Sequence, residues 1–151
     1  MMLLFRKIRI KFGKYLANSF PHNKVRVFGL RICGFTVGKE VYIGSNFTVA
    51  SLLSKEGCEL IIEDRVAIGP NVTLVLSSDA NNSRINEIKP PIIGKIHLKE
   101  DCWLGAGTII LPNVSIGKMA IVGAGSVVTK SVENECIATG IPARILKKIS
   151  D

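Results

Sequence analysis

The sequence predicts an all-β solenoid, in which the chain winds through short parallel strands joined by corners. Three observations predict it. Aliphatic residues return at every sixth position, small or β-branched residues lie four positions after most of them, and glycine repeatedly follows the aliphatic position, as at Gly105, Gly117 and Gly123. An α-helix repeats about every 3.6 residues and a half-buried strand about every two. A period of six therefore indicates one short strand and one corner per unit.

The repeat extends over residues 37–132, which we expect to form one β-solenoid domain. Three six-residue units would close one triangular coil, and successive coils would stack at the strand spacing of about 4.8 Å. We expect the aliphatic side chain of each unit to point into the core. These positions are Val37, Ile43, Val49, Ile62, Ile68, Leu74, Ile92, Leu98, Leu104, Ile110, Ile116, Val122 and Val128.

The two ends of the solenoid have a different character. Residues 1–36 are predicted to form a basic helical cap and connection, because one helical face carries apolar residues. The open end of a solenoid needs such protection, although a helix on a membrane surface is the alternative, and one helix can do both. Residues 133–151 are predicted to be a closing segment. The apolar face of the cap comprises Leu4, Ile8, Phe12, Tyr15 and Leu16.

Composition limits the class of protein. Residues 1–39 hold nine of the 20 Lys and Arg residues and none of the 12 acids, so this segment accounts for the net charge of +8. No apolar run approaches the ~20 residues of a membrane span, and the opening MMLLF is too short for a signal peptide. The four cysteines are widely spaced, without a zinc pattern. We therefore expect a cytoplasmic protein, and the few, scattered aromatic residues argue against nucleic-acid binding.

The repeat is interrupted between Leu74 and Pro91. Ala80 and Asn86 occupy positions that should be aliphatic, and the stretch is rich in serine, asparagine and charge. We expect a polar loop over about residues 77–91 that leaves the coil. Loops on a rigid scaffold are common places for functional residues.

The repeat units resemble a known family. The units IGPNVT, LGAGTI, IGKMAI and VGAGSV, followed by VVTK and GIPARILKKI, resemble the hexapeptide-repeat acyltransferases over about residues 37–149, in particular the maltose/galactoside O-acetyltransferases and their relatives in polysaccharide synthesis. The resemblance implies a left-handed parallel β-helix, a homotrimer, and acetyl-CoA bound between subunits. It implies acetyl transfer to a sugar hydroxyl, with a surface-polysaccharide precursor as a candidate acceptor. Two alternatives stay open: an inactive trimeric scaffold or binding module, and an N-acyltransferase of an amino sugar.

The resemblance also implies a catalytic histidine on the loop, but this chain has Asp79 at that position. A base must take the proton of the attacking hydroxyl, and an ordinary carboxylate is a weaker base than imidazole by ~2.5 pKa units. Asp79 has three interpretations: a replacement base, a residue that caps the loop, or an acceptor-binding residue beside Asn81, Asn82 and Ser83. His97 is the alternative base, or else a surface histidine. If the loop does not displace the faces of the coil, its spacing places it one coil above Asp79.

The cofactor residues are better matched to the family. Trp103 is the only tryptophan and occupies an outward position, where an interface or a ligand would explain it. The resemblance implies that small residues accept the pantetheine arm of acetyl-CoA and that cations meet its phosphates. A γ-carbonic anhydrase is excluded, because it needs a three-histidine metal site and the chain has two histidines. No metal is expected. The expected cofactor contacts are Trp103, Ala106, Ala124, Thr129, Lys130, Arg144 and Lys147.

Overall fold

The computed structural model describes residues 2–51 and 57–151. Two helices precede a three-sided coil, and each turn of that coil contributes one strand to each of three sheets. The helices are α1 (Met2–Ser19), α2 (Asn23–Ile32) and α3 (Ile85–Ile88). The strands are β1 (Thr36–Val37), β2 (Tyr42–Ile43), β3 (Thr48–Ala50), β4 (Glu59–Ile62), β5 (Ala67–Ile68), β6 (Thr73–Val75), β7 (Ser77–Ser78), β8 (Ile92–Ile93), β9 (Lys95–Leu98), β10 (Trp103–Leu104), β11 (Ile109–Ile110), β12 (Val114–Ile116), β13 (Ile121–Val122), β14 (Val127–Val128), β15 (Cys136–Gly140) and β16 (Ala143–Lys148).

The strands of the three sheets alternate along the chain, so that each coil passes from sheet A to sheet B and then to sheet C. Sheet A has the order β1-β4-β9-β12, sheet B the order β2-β5-β10-β13-β15-β16, and sheet C the order β3-β6-β11-β14. Neighbouring strands are parallel except for β15 and β16, which pair antiparallel. The stacking of short strands predicted from the period of six is therefore confirmed, as are the parallel sheets that the resemblance implies.

The core consists of the aliphatic residue that each unit sends inward. In sheet B, Ile43, Ile68, Leu104 and Val122 occupy successive rungs, and all four are fully buried. At the small position, the buried hydroxyl of Thr108 donates a hydrogen bond to the Gly105 carbonyl oxygen at 2.7 Å. Each coil thus stacks like on like, and the buried polar group is satisfied within its own corner.

Glycine is required at the corners because successive coils meet there backbone to backbone. A Cβ at Gly105 would lie 2.6 Å from the Ala124 nitrogen, and one at Gly69 would lie 2.8 Å from the Ala106 nitrogen. A backbone atom cannot move aside as a flexible side chain can. The repeated glycine of the sequence therefore marks a steric requirement of the stacked coils.

The register across the interruption differs from the sequence prediction. Ile62 pairs with Leu98, 36 positions later, whereas Leu104 pairs with Val122, 18 positions later. Ile92 lies in β8 and is 56% exposed, so its prediction as a core residue is wrong. The inserted length is a multiple of six, and such an insertion preserves the phase of the pattern without contributing a coil.

The inserted residues form a hairpin, which we call the excursion (residues 77–93). Strands β7 and β8 pair antiparallel, with Ser77 opposite Ile93, and the short helix α3 lies between them. The excursion leaves the coil between sheet C and sheet A. At this edge Leu76, just after β6, donates its backbone N–H to the oxygen of Ala50, the last residue of β3, at 2.8 Å.

Helices α1 and α2 pack together against the first coil. Arg26 is buried and donates to the Ile43 oxygen at 2.8 Å and to the Phe20 oxygen at 2.7 Å. Asn23 donates its side-chain amide to the Val41 oxygen and accepts from the Ile43 N–H. Side chains of the cap thus satisfy backbone groups that the first coil would otherwise leave open.

The face by which α1 packs is not the one predicted. The buried residues of α1 are Ile10, Gly13, Leu16 and Ala17. Four of the five predicted capping residues are instead exposed: Leu4, Ile8, Phe12 and Tyr15. The two helices cross where glycine meets glycine, since a Cβ at Gly13 would lie 2.5 Å from the Gly29 oxygen. Close approach of the backbones therefore selects the small-residue face.

Among the described residues, none of the helices combines the length and the apolar character that a membrane span requires.

Candidate active site

The predicted site residues lie on different sides of the coil. Asp79 and the neighbouring polar residues are on the excursion, at the edge between sheets C and A, and His97 is on sheet A. Trp103 is on sheet B, and Ala106 lies at the corner between sheets B and C. The loop residues and the residues around Trp103 therefore occupy separate regions of the surface of one chain.

Asp79 is half-buried and organises the beginning of the excursion. Its Oδ1 accepts hydrogen bonds from the Asn81 N–H at 2.7 Å and from the Asn86 side-chain amide at 2.9 Å. The bond to the backbone two residues ahead is that of an Asx turn, the capping role considered from the sequence. Asn86 also donates to the Asn81 oxygen, so it clamps the turn that carries Asp79. In the sequence, Asn86 stands out only as a lost aliphatic position, because contacts across an irregular loop have no periodic signal.

The proposed acceptor-binding residues lie at the outer part of the excursion. The side chains of Asn81, Asn82 and Ser83 are all exposed. The Ser83 hydroxyl accepts from the Ile85 N–H at 3.2 Å, which fixes the start of α3. This part of the excursion therefore offers polar groups to solvent on a locally ordered turn.

His97 is paired with a carboxylate and is not stacked on Asp79. Its rung neighbours are Ile61 and Ser115, because the excursion leaves the coil, so the position one coil above Asp79 that an undisplaced loop would have given is not found. The His97 Nε2 lies 2.6 Å from Glu63 Oε1, and the other Glu63 oxygen accepts the Glu100 N–H at 2.8 Å. The imidazole is one-third exposed. This arrangement favours the interpretation of His97 as a surface histidine whose Nε2 is paired with a carboxylate.

A cluster of ion pairs continues along the same side of the coil. Arg65 forms a bidentate pair with Asp101, with its Nε 2.7 Å from Oδ1, and also contacts Glu100. Lys118 Nζ lies 2.7 Å from Glu100 Oε2. The Lys118 hydrogen bond, followed by that of Arg65, lowers the pKa of Glu100, and the Arg65 hydrogen bond lowers the pKa of Asp101. These pairs join three successive coils, and their residues are too far apart in sequence for the period to reveal them.

Trp103 stands on the outer surface of sheet B. Its side chain is 53% exposed, with Ala67 on the preceding rung and Ile121 on the next. At the adjacent corner, Ala106 and Ala124 are exposed on neighbouring coils, and the Gly125 N–H donates to the Ala106 oxygen at 2.8 Å. A large aromatic surface beside a corner of small residues can accept a narrow, extended ligand.

Two of the predicted cations line one cavity. Lys130 and Arg144 lie around a space of about 270 Å³ between the last coil and β16, together with Ser131 and Val132. Thr129 is exposed immediately before Lys130. Lys147 does not line this space; it pairs with Ile137 further along β16. The structure thus brings together Lys130 and Arg144 and leaves the third cation outside the cavity.

Two of the buried cysteines, Cys33 and Cys102, are poorly suited to nucleophilic chemistry. All four cysteines are free, and burial raises the pKa of Cys33 to about 11 and of Cys102 to about 12. Both thiols are therefore protonated near neutral pH and are weak nucleophiles. Within residues 2–51 and 57–151, no group of three or more His, Cys, Asp or Glu side chains is placed to hold a metal ion.

Comparison with known proteins agrees with the repeat. Residues 95–130 match the model of the bacterial transferase hexapeptide (six repeats) family. The chain is 33% identical over 115 residues to a galactoside O-acetyltransferase of Lactococcus lactis, covering 76% of this chain and 56% of the relative. It is 31% identical to the Escherichia coli galactoside O-acetyltransferase, covering 78% and 58%. The chain therefore spans a little over half the length of these curated relatives.

Two solved structures extend the comparison. A hexapeptide-repeat acetyltransferase from Vibrio cholerae superposes with a TM-score of 0.72 at 24% identity, covering 100% of this chain and 94% of that one. An N-acyltransferase from Bacillus cereus, solved with dTDP and 3-hydroxybutyryl-CoA, gives a TM-score of 0.55 at 30% identity and covers 74% and 64%. The first likeness concerns the fold alone.

Proposed function

Because the chain belongs to the hexapeptide-repeat transferase family, we propose that it is an acetyl-CoA-dependent O-acetyltransferase that acts on a sugar hydroxyl. The observation that carries the proposal is the likeness to two galactoside O-acetyltransferases over three quarters of this chain. We propose a surface-polysaccharide precursor as the acceptor and the cytoplasm as the compartment.

The reaction requires an alcohol to attack a thioester. The hydroxyl oxygen forms a bond to the acetyl carbonyl carbon, the carbon–sulfur bond breaks, and the hydroxyl proton passes through a base to the departing thiolate. Most of the rate gain would come from holding the two substrates in contact. The base would add a further factor of about 10²–10⁴.

We assign the base to Asp79. The excursion presents it at an edge of the coil, and the hydrogen bonds from Asn81 and Asn86 fix the orientation of its carboxylate. Asn86 is thus a positioning residue, and the exposed Asn82 and Ser83 would meet the acceptor. His97 remains the alternative base, oriented by its carboxylate partner Glu63.

The acetyl-CoA would lie along the corner next to Trp103. Its pantetheine arm would pass Ala106 and Ala124, whose small side chains leave the backbone accessible. Thr129 and Lys147 would extend the contact surface, and the phosphates would meet Lys130 and Arg144, because cations bind phosphate oxygens through charge-assisted hydrogen bonds. Since this corner and the excursion lie on different sides of one chain, we propose that the site forms between neighbouring chains of a homotrimer. We also propose that the β-helix is left-handed, as the family resemblance implies.

A second candidate function is N-acylation of an amino sugar. The 30% identity to the Bacillus cereus N-acyltransferase favours it, since an amine can attack the same thioester in the same groove. The remaining alternative is an inactive trimeric scaffold, which would follow if Asp79 acted only as a turn residue.

The decisive experiment measures CoA release from acetyl-CoA with a panel of sugars and amino sugars. Asp79→Asn is the sharp variant, because asparagine keeps the Oδ1 that accepts from Asn81 and Asn86 and loses only the basic charge. We expect turnover to fall about 10²–10⁴-fold with unchanged melting temperature and CoA affinity, while His97→Asn stays near the parent.

The possible results separate the candidate functions. Loss in His97→Asn with a mild effect of Asp79→Asn would move the base to the histidine. Transfer only to amines would favour N-acylation. Absence of turnover by the parent with every acceptor would leave the scaffold.

A further inference from the structure

Helix α1 carries a second apolar face, and the described chain leaves it uncovered. We call it the outer face; it consists of Leu4, Phe5, Ile8, Phe12 and Tyr15, each more than half exposed. At 3.6 residues per turn these side chains fall within about 100° of the helix circumference. The opposite side of α1 is the one that packs on α2. A helix that is apolar on both sides but packed on one has a surface left for a partner.

The charges around the outer face identify the partner. Lys7 and Lys11 lie along one border of the outer face and Arg9 along the other, and all three are exposed. Lys14 is different: its Nζ donates to the Ser51 hydroxyl at 2.7 Å, and burial lowers its pKa. Among the described residues no ion pair involves Lys7, Arg9 or Lys11, and residues 1–39 contain no acid, so these three cations are left for an external anion.

This combination matches the interface of an anionic lipid bilayer. An amphipathic helix lies there with its aromatic and aliphatic side chains in the acyl boundary and its cations among the headgroups. Each cation near such a surface contributes about 1 kcal/mol. Two copies of the outer face placed against each other would instead bring like charges together, because neither copy has an acid in this segment.

We propose that the outer face of α1 docks the protein on an anionic membrane surface, with Phe5 and Phe12 inserted and Lys7, Arg9 and Lys11 against lipid phosphates. Helix α2 holds α1 through the Gly13–Gly29 crossing, so the face exists before lipid is met and little ordering cost is paid on binding. Docking would hold the rest of the coil beside the membrane, where a lipid-linked acceptor would be found.

The test uses the full chain and vesicles of phosphatidylcholine with or without phosphatidylglycerol, at low and high salt, read by co-sedimentation. We expect binding to the anionic vesicles that weakens as salt rises, and little binding to phosphatidylcholine alone. Phe12→Ser should weaken binding about ten-fold or more, the effect of withdrawing a phenyl ring from apolar surroundings. Lys11→Gln should weaken it about five-fold at low salt.

The matched control is Phe28→Ser on α2. Phe28 is 58% exposed, close to the 55% of Phe12, but it lines a cavity with Tyr42 on another side of the cap. We expect this variant to bind as the parent does. Equal loss in Phe28→Ser, or unchanged binding in Phe12→Ser, would overturn the proposal. Failure of the parent to bind anionic vesicles would also overturn the proposal. If, in addition, light scattering gives a different mass for Phe12→Ser than for the parent, the outer face is a contact with a second copy. None of these readouts depends on acetyl transfer.

Discussion

The cavity between the last coil and β16 makes a quantitative prediction about CoA binding. Lys130 and Arg144 line it together, and the proposed function assigns both to the phosphates. Replacing Arg144 by Glu removes one charge-assisted hydrogen bond, worth about 1.5–3 kcal/mol, and adds a repelling charge. Because Arg144 is exposed, solvent screening places the expected loss near the lower limit, about ten-fold in Kd.

Isothermal titration with CoA measures this loss, and pantetheine provides the internal reference because it carries no phosphate. We expect Arg144→Glu and Lys130→Glu each to weaken CoA binding, with the loss reduced at high salt, and neither to affect pantetheine. Because both cations would face the same phosphates, the double variant should lose less than the sum of the single losses.

Lys148→Glu is the matched control, since Lys148 is also an exposed cation of β16 but does not line the cavity. Superimposable CoA titrations for Arg144→Glu and the parent would refute the assignment. An equal loss in Lys148→Glu would show that net charge alone, and no defined phosphate site, governs binding.

Three further predictions concern assembly and stability. Light scattering of the parent should give the mass of three chains, and a stable dilute monomer would contradict an intersubunit site. Gly105→Ala should lower the unfolding free energy by about 1–3 kcal/mol, because its Cβ would meet the Ala124 nitrogen at 2.6 Å; an unchanged thermal melt would contradict the tight corner. The pKa values of Glu100 and Asp101 are lowered in the folded protein. The ionised carboxylates therefore stabilise the fold at any pH above the ordinary pKa range of a carboxyl group, and this stabilisation is lost as the pH falls through their folded-state pKa values. The melting temperature of the parent should therefore fall more steeply below about pH 4 than that of Arg65→Gln, and parallel curves would show that the cluster contributes nothing.

The sequence predicted the coil well because one physical constraint recurs in every unit. Leu104 and Val122 are buried for the same reason, and Gly105 and Gly69 meet a neighbouring backbone in the same way. Ile92 shows the limit of such reasoning. A pattern reports phase and not connectivity, so an insertion of three unit lengths cannot be distinguished from a coil until pairing is known.

The face of α1 could not be predicted from apolar spacing, because α1 has two apolar sides. Large side chains define the outer face, whereas Gly13 and Ala17 define the packed one. Only the Gly29 partner on α2 decides between them, and a contact between two helices is absent from a single-helix pattern. The contacts of Asp79 and His97 were also out of reach, since Asn86 and Glu63 are brought to them by the excursion and by coil stacking.

The unequal spacing of the rungs has a consequence for how the chain folds. Leu104 and Val122 are 18 positions apart, whereas Ile43 and Ile68 are 25 apart and Ile68 and Leu104 are 36 apart. Doubling a loop adds about 0.6 kcal/mol to its closure entropy, so the uninterrupted coils after the excursion form their first contacts at the lowest cost. We expect nucleation in residues 98–128, followed by growth toward the N-terminus, because each coil rests only on its neighbours. Substitutions in these C-terminal coils, which form first, should then slow folding. Substitutions in the first coil and its cap should mainly accelerate unfolding.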